Sequence, residues 1–442
     1  MAVLDIYCNS TLVGTLTEEA HSGVFTYLPG TPTADVVSLL MPVRNGSYTW
    51  PGGIMPSFPM NLPEGFKKDL IRQHLGPHAD VSDMGLLALT GANTIGRVRA
   101  IPHGAPLDTA RSRFDMATLL ASPNSRDNLL KHLEAGISEG VSGVMPKTLA
   151  SGDEKATVWT DEYILKTGPA DLPGLSINEY LCLEVARNTD LNVPETHLSD
   201  DGRVLAIRRF DLEAGGTRVG VEDFCALKGF DPVRKYQGTV EDLAKLCNQY
   251  LGVDHRKDSK RKLFLLLLLN YALRNADAHM KNYALTYTTE RDARLSPVYD
   301  IVTVTAYPRY QDDAPALSLK GKKLWCSGKA LFEYGGARLS LSPTDMNAAL
   351  EQVVSAVQKV LPLVSAYTDR YPEFRNIGKR MLEVWARGLE DIKPDAKPGK
   401  GVPAPLREQA GLSETQSDVR RETDNPYIDP NDRLATSRDN WA

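Results

Sequence analysis

Seven consecutive apolar residues, Leu263 to Leu269, lead through Asn270 into the polar segment RNADAHMKNY, Arg274 to Tyr283. That apolar run is far below the roughly 20 residues that span a bilayer, so it reads as a buried helix inside a core. The polar segment must then sit at the end of that helix, where a loop can carry chemistry. The chain has 442 residues, enough for two or three structural units. Its 42% hydrophobic and 24% charged residues are those of an ordinary globular protein. A net charge of −5 argues against a protein whose main task is covering nucleic-acid phosphates. The five cysteines, Cys8, Cys182, Cys225, Cys247 and Cys326, never fall in a CxxC spacing and read as reduced thiols of a cytosolic protein. No basic stretch followed by an apolar stretch opens the sequence, so neither a secretory signal nor a membrane anchor is expected, and the localisation is read as cytoplasmic.

The sequence divides into five stretches. Residues 1–110 start with a hairpin pattern turning at Asn9-Ser10, continue with a third strand in VFTYL, pass a helical period in GFKKDLIRQHLG, and end in a strand near Pro102. Residues 111–137 form a helical bridge, with Ser125 as cap and Gly136 as terminator. Residues 138–211 read as a glycine-containing loop, the strand pair ATVWT and EYILK, the helix INEYLCLEVARNTD and the strand RVLAIRRFD, a small α+β lobe. Residues 212–392 are mostly helical, interrupted by strand-like alternation in NYALTYTTERDARLSPVYDIV. Residues 393–442, rich in proline, charge and small polar residues, read as a disordered tail.

Asp277 and Asn282 lie five residues apart just beyond the buried helix. In phosphoryl transfer of the protein-kinase kind, an aspartate accepts the hydroxyl proton and an asparagine at this spacing holds Mg²⁺. A capped surface loop has the same look, so the spacing needs company. Asp300 in SPVYDIV offers a second acidic metal ligand, and Lys166 ends the strand EYILK ahead of a helix carrying Glu179, the pattern of a phosphate-binding lysine oriented by a carboxylate. The segment GVSGVMPK, with Gly143, Val144 and Lys147, could fold its amides over phosphates, Lys147 adding a point charge. It is neither a Walker A sequence nor a GxGxxG loop. Ile207 to Phe210, with Arg208 between them, sits where a strand crosses between lobes, so its backbone could bond an adenine. Each of these features alone also fits a turn, a strand lysine or a strand end. Their order is what carries the reading.

In that order the sequence resembles the HipA family of toxin kinases, the serine/threonine kinases of bacterial toxin–antitoxin operons. NADAHMKNYAL is similar to the family's D-x-H-x-K-N catalytic loop, PVYDIV to its metal-binding segment, SGVMPKTLA to its S-x-x-G-x-x-x-K loop, YILK to its nucleotide-lysine strand and NEYLCLEVA to the helix after it. LPEG and GANTIGRVRAIP resemble parts of its N-terminal subdomain, and the likeness extends to about residue 385. The resemblance implies a two-lobed, protein-kinase-like α+β fold, related to that of the phosphoinositide kinases, with a β-rich N-terminal subdomain and a mainly helical C-terminal lobe.

The resemblance also implies roles: Asp277 as catalytic base, Asn282 and Asp300 as Mg²⁺ ligands, Lys166 as the nucleotide lysine, and His279 and Lys281 as supporting residues on the ATP side. The cofactors are ATP and Mg²⁺. The implied partners are a small helix-turn-helix antitoxin of the HipB kind, DNA only through that antitoxin, and a protein substrate for which an aminoacyl-tRNA synthetase is one candidate. The sequence departs from the family at the regulatory serine three positions before the loop glycine, which here is Gly140. Ser142 or Ser138 would then be the autophosphorylated residue, unless each merely caps the loop. Two other activities stay open at this point: a non-catalytic nucleotide-binding co-repressor, and a kinase for small molecules or lipids.

Overall fold

A two-residue turn with Asn9 in the left-handed region (φ 55°) joins β1 (Val3–Cys8) to β2 (Thr11–Glu19), with Cys8 facing Thr11. Asparagine tolerates that conformation, and a tight hairpin needs it. The computed structural model describes residues 3–62, 80, 82–107, 115–138, 156–160, 162–213 and 215–395. β3 (Ser22–Tyr27), β4 (Tyr48–Pro51) and β5 (Val98–Pro102) complete an antiparallel sheet of order β4-β3-β2-β1-β5. Alternation along its strands buries Leu4, Ile6, Val13, Leu16 and Phe25 against Met41, Ile54, Phe58 and Met84. The subdomain thus has a core of its own.

The second sheet, β6 (Ala156–Trp159), β7 (Tyr163–Thr167), β8 (Thr196–Leu198) and β9 (Val204–Arg208), has the order β6-β7-β9-β8 and is antiparallel. Between β7 and β8 runs the helix Leu175–Arg187, whose Ile177, Leu181 and Val185 are fully buried. They join the large core formed with the helices Val240–Tyr250, Arg256–Ala272, Gly328–Leu339, Pro343–Arg370 and Arg375–Asp391. Leu263 to Leu269 are all buried at the centre of this core. Among the described residues no helix is long and apolar enough to cross a membrane.

Three details differ from the sequence expectation. The helix beginning at Ser125 continues past Gly136 to Ser138, since a single glycine costs a helix only about 1 kcal/mol. The buried helix starts at Arg256, about two polar turns before the apolar run. A strand not foreseen, β10 (Gly220–Asp223), pairs with β11 (Ala284–Tyr287), which pairs with β12 (Arg294–Leu295), giving a third antiparallel sheet. The helical period in GFKKDLIRQHLG, the glycine-containing loop with Gly140, Ser142, Gly143, Val144 and Lys147, and the tail beyond residue 395 lie outside the described residues, as does the side chain of Ser138.

Buried polar contacts bind the N-terminal subdomain to the rest. The Arg209 guanidinium, itself paired with Asp211, donates to the Thr94 carbonyl (2.8 Å) and to Asn93 Oδ1 (2.9 Å). The Gly96 amide donates to Asp211 (2.9 Å). Arg97 donates to the carbonyls of Thr288 and Val36, and Glu222 on β10 accepts from the Ser38 hydroxyl and the Leu39 amide. These paired donors and acceptors fix the subdomain over the side of the larger unit that carries the loop after the buried helix, with Arg97 Nε left as a buried donor that finds no acceptor among the described residues.

Candidate active site

The loop that follows the buried helix is set by how that helix ends. Arg274 takes the left-handed conformation (φ 55°), and the amides of Arg274 and Asn275 donate back to the carbonyls of Tyr271 (3.3 Å) and Asn270 (2.9 Å). This is a Schellman-type closure, which turns the chain sharply out of the core. Asn275, almost fully buried, then ties three elements together. Its Nδ2 donates to Asn270 Oδ1 (2.9 Å) and to the Asp300 carbonyl (3.5 Å), and its Oδ1 accepts from the Asp277 amide (3.2 Å). Neither Asn275 nor its role was legible in the sequence beyond its place in the polar segment.

Past Asn275 the loop closes on itself. The His279 amide donates to Asn282 Oδ1 (3.2 Å), and the Asn282 amide donates to the His279 carbonyl (3.0 Å). Asn282 Nδ2 reaches Asp300 Oδ2 at 3.1 Å. Asp300 also stands in the left-handed region (φ 58°), a conformation aspartate accepts more readily than most residues and one that turns its carboxylate into the site. Its other oxygen, Oδ1, accepts from Lys166 Nζ at 2.7 Å, and the same ammonium donates to Glu179 Oε1 at 2.6 Å.

Lys166, Glu179, Asn282 and Asp300 thus come from β7, the helix after it, the catalytic-type loop and the segment after β12, and meet within hydrogen-bond reach. Burial alone would lower the Lys166 pKa, but the Asp300 and Glu179 carboxylates override it and hold the ammonium above the ordinary lysine range. Lys166 is therefore a fixed cation at neutral pH. Glu179, 2% exposed, is its orienting partner, while Asp300, 24% exposed, keeps a face toward the opening.

The remaining candidates are placed as follows. Asp277 accepts from the Tyr236 hydroxyl at 2.8 Å, and the Tyr236 ring lies edge-on to His279, 5.1 Å between centroids. Tyr236 had no signal in the sequence. Lys281 Nζ donates to the Met60 carbonyl of the N-terminal subdomain (2.9 Å), and its own carbonyl accepts from Tyr299. Phe210 stacks on Tyr299 at 5.6 Å, which links the strand crossing to the loop. The Arg208 amide is taken up by the Glu195 carbonyl (2.8 Å) and its side chain pairs with Glu195, so that amide has a partner within the sheet. Asn282 and Asp300 offer hard oxygen donors. Among the described residues no group of three or more His, Cys, Asp or Glu could hold a metal. A site with one carboxylate and one amide suits Mg²⁺, which keeps waters and takes its other ligands from phosphates.

Sequence models of two domains match the chain: the HipA N-terminal domain over residues 4–101 and the HipA-like C-terminal domain over residues 140–361. The chain belongs to the HipA family. Among curated relatives, the protein named "Putative kinase Y4dM" of Sinorhizobium fredii is 26% identical over 341 residues, covering 72% of this chain and 80% of that protein. The serine/threonine-protein kinase toxin HipA of Shewanella oneidensis is 25% identical over 286 residues, 57% of this chain and 63% of the toxin. The solved complex of Shewanella oneidensis HipA with HipB and its operator DNA contains a chain that superposes with a TM-score of 0.64 at 17% identity, covering 88% of this chain and 98% of that one. The fold is the two-lobed α+β architecture of the HipA kinases.

Proposed function

We propose that this HipA-family chain is an ATP- and Mg²⁺-dependent serine/threonine protein kinase and the toxin of a toxin–antitoxin pair. The observation that carries the reading is the meeting of Lys166, Glu179, Asn282 and Asp300 at hydrogen-bond distances, beside a loop that presents Asp277. Each side chain has work in phosphoryl transfer. Lys166, held by Glu179, pairs with the nucleotide phosphates; Asn282 and Asp300 hold Mg²⁺, which when bound neutralises phosphate charge. Asp277 aligns the acceptor hydroxyl and takes its proton as that oxygen attacks the γ-phosphorus and the bond to ADP breaks. A module that only bound nucleotide would have no use for Asp277 in this loop.

The toxin role rests on family membership and on the solved relative, which is a complex with HipB and operator DNA. By that likeness the partner here is a small helix-turn-helix antitoxin, DNA is reached through it, and the acceptor is a protein, with an aminoacyl-tRNA synthetase as one candidate. The test is the intact mass of the full chain after incubation with Mg²⁺ and ATP, beside Asp277→Asn, with fragmentation to locate any phosphate. Phosphate on the wild type alone, on Ser142, Ser138 or another hydroxyl, supports the kinase. Nucleotide binding with no transfer to the chain or to any protein of a cell extract leaves a binding subunit instead.

A further inference from the structure

The loop of residues 231–239 reaches the Asp277 carboxylate through Tyr236, a second loop packs against that first one, and both present apolar side chains to solvent. The first, residues 231–239, lies directly on the catalytic-type loop. The Met280 amide donates to the Lys235 carbonyl (3.2 Å), and Gly238 passes so close that a Cβ there would sit 2.3 Å from Met280 Sδ. From this loop Val233 projects 86% exposed. The second, residues 318–325, runs alongside: the Val240 amide donates to the Ser318 carbonyl (2.9 Å) and Lys323 Nζ to the Tyr236 carbonyl (3.1 Å). Its Leu324 is 63% exposed. Among the described residues the largest exposures of big apolar side chains are those of Val233, Val253 and Leu324, and two of the three stand on these adjoining loops.

The same loops are cationic. Asp231 on the first loop takes the Arg234 amide (3.2 Å), while the Arg234 guanidinium is spent on Gln237 and the Phe230 ring, and no ion pair of the Arg234 guanidinium or the Lys322 ammonium with a carboxylate is found among the described residues. From the first of these loops the Tyr236 hydroxyl donates to Asp277 Oδ1 at 2.8 Å. A hydroxyl donating to the general base is the contact an acceptor serine or threonine must make before transfer.

We propose that these two loops form the docking surface for the acceptor, an extended protein segment carrying apolar and acidic residues beside its hydroxyl, and that Tyr236 occupies the seat of that hydroxyl. The inference rests on the kinase reading of the site and names its substrate class. Val233 and Leu324 cover the apolar flank, Arg234 and Lys322 attract the acidic one, and the acceptor displaces the Tyr236 phenol from Asp277. A small sugar or nucleoside would leave this surface unused.

The experiment uses the full chain with Mg²⁺, radiolabelled ATP and an immobilised array of serine-centred peptides with Leu, Asp, Gly or Lys at the flanking positions. Leu and Asp flanks are expected to raise phosphate incorporation roughly tenfold over Gly and Lys, in keeping with the discrimination one apolar contact provides. Val233→Asp and Leu324→Asp should erase the Leu preference, and Lys322→Glu the Asp preference, with melting midpoints checked for each variant. Tyr236→Phe, which keeps the ring on His279, should lower KM for the best peptide at unchanged ATP affinity. A flat array, preferences that survive in the variants, or a chain that labels itself but no peptide overturns the docking surface and leaves the kinase reading standing. A fall in kcat at constant peptide KM in Tyr236→Phe overturns the seat. A chain that neither binds ATP nor transfers phosphate brings down the kinase reading, and the docking surface with it.

Discussion

Lys166 and Asp300, 134 residues apart in sequence, meet at 2.7 Å, and the ammonium donates a second hydrogen bond to a Glu179 that is 2% exposed. The lysine is therefore held by two carboxylates of unequal burial. Asp300, the more exposed, is on the proposed reading the one that turns toward Mg²⁺, while Glu179 stays to orient the lysine. Lys166→Ala is expected to weaken ATP binding at least about tenfold, the loss of one charge-assisted hydrogen bond to phosphate. It should also lower the melting temperature, because Glu179 is left buried without its counter-charge. Lys166→Met with Glu179→Leu separates the two effects: stability should return while ATP affinity stays low. Calorimetric titration with ATP in which both variants match wild type would remove Lys166 from the site.

Asp277 is positioned by its neighbours more than by its own bulk: its amide is fixed on Asn275 and its carboxylate on Tyr236. Asp277→Asn preserves the shape and removes the proton acceptor. Phosphate transfer should fall by roughly 10² to 10⁴, the usual contribution of a general base, with ATP affinity changed less than about threefold. Equal losses in affinity and turnover would instead make Asp277 part of the nucleotide site.

Asn275→Ala tests the support beneath the loop. Removing an amide that bridges Asn270, the Asp277 backbone and the Asp300 carbonyl frees the loop from both the helix end and the Asp300 segment. Turnover should drop by at least about tenfold from misplacement alone, with a stability loss of about 1–3 kcal/mol for the partners left unsatisfied. Circular-dichroism melting and labelled-phosphate transfer, measured on the same sample, read both. A variant less stable yet fully active shows that Asn275 only holds the fold.

The sequence carried the local parts of this architecture well. The Asn9-Ser10 hairpin, the strand pair around Lys166 and the helix with Ile177, Leu181 and Val185 are all short-range patterns, where propensity and period act over a few residues. What it could not carry was pairing across distance. β10 is four residues long and becomes a strand only because Ala284 to Tyr287 lies beside it, 61 residues or more along the chain. Tyr236 looks like any loop tyrosine until Met280 and Lys235 bring its hydroxyl to Asp277. Arg209 reads as part of a strand-end RRF, yet it is Arg209, not Arg208, that is buried and ties the subdomains together. The polar loop stood out because Asp277, His279, Lys281 and Asn282 lie within one decapeptide.

The Arg209–Asp211 pair is fully buried, with the guanidinium bonded to the Thr94 carbonyl and the carboxylate to the Gly96 amide. Asp211→Ala strands a buried cation and an amide together, so a loss of roughly 3–5 kcal/mol is expected. Arg209→Met with Asp211→Leu removes both charges and should cost less than Asp211→Ala alone, since an apolar pair carries no desolvation penalty. Urea midpoints of the three proteins decide it. Equal losses for single and double variants would mean that the bonds to residues 93–96, not the ion pair, hold the junction.

Glu222 offers a pH-dependent reading of the same junction. Burial pushes its carboxyl up to about 7, against the pull of hydrogen bonds from Ser38, Leu39 and Tyr287, from an ordinary value of 4.5. The folded chain therefore keeps this proton over a range in which the unfolded chain has already released it. Stability contributed by the neutral form is complete below about 4.5, declines as pH rises through the window to about 7, and is constant above it. The decline amounts to roughly 3 kcal/mol. Glu222→Gln removes the ionisation, so the stability of wild type relative to the variant should fall by that order between pH 4.5 and pH 7.5, measured as urea unfolding at each pH. Since Ser38 and Leu39 belong to the N-terminal subdomain and Glu222 to β10, the same titration should loosen that subdomain first. Amide exchange at Leu39 that accelerates as pH rises from about 4.5 to about 7 in wild type but not in Glu222→Gln, after correction for intrinsic rates, is the expected signature. Parallel curves for the two proteins would show that the carboxyl titrates below the window and that the junction is indifferent to pH.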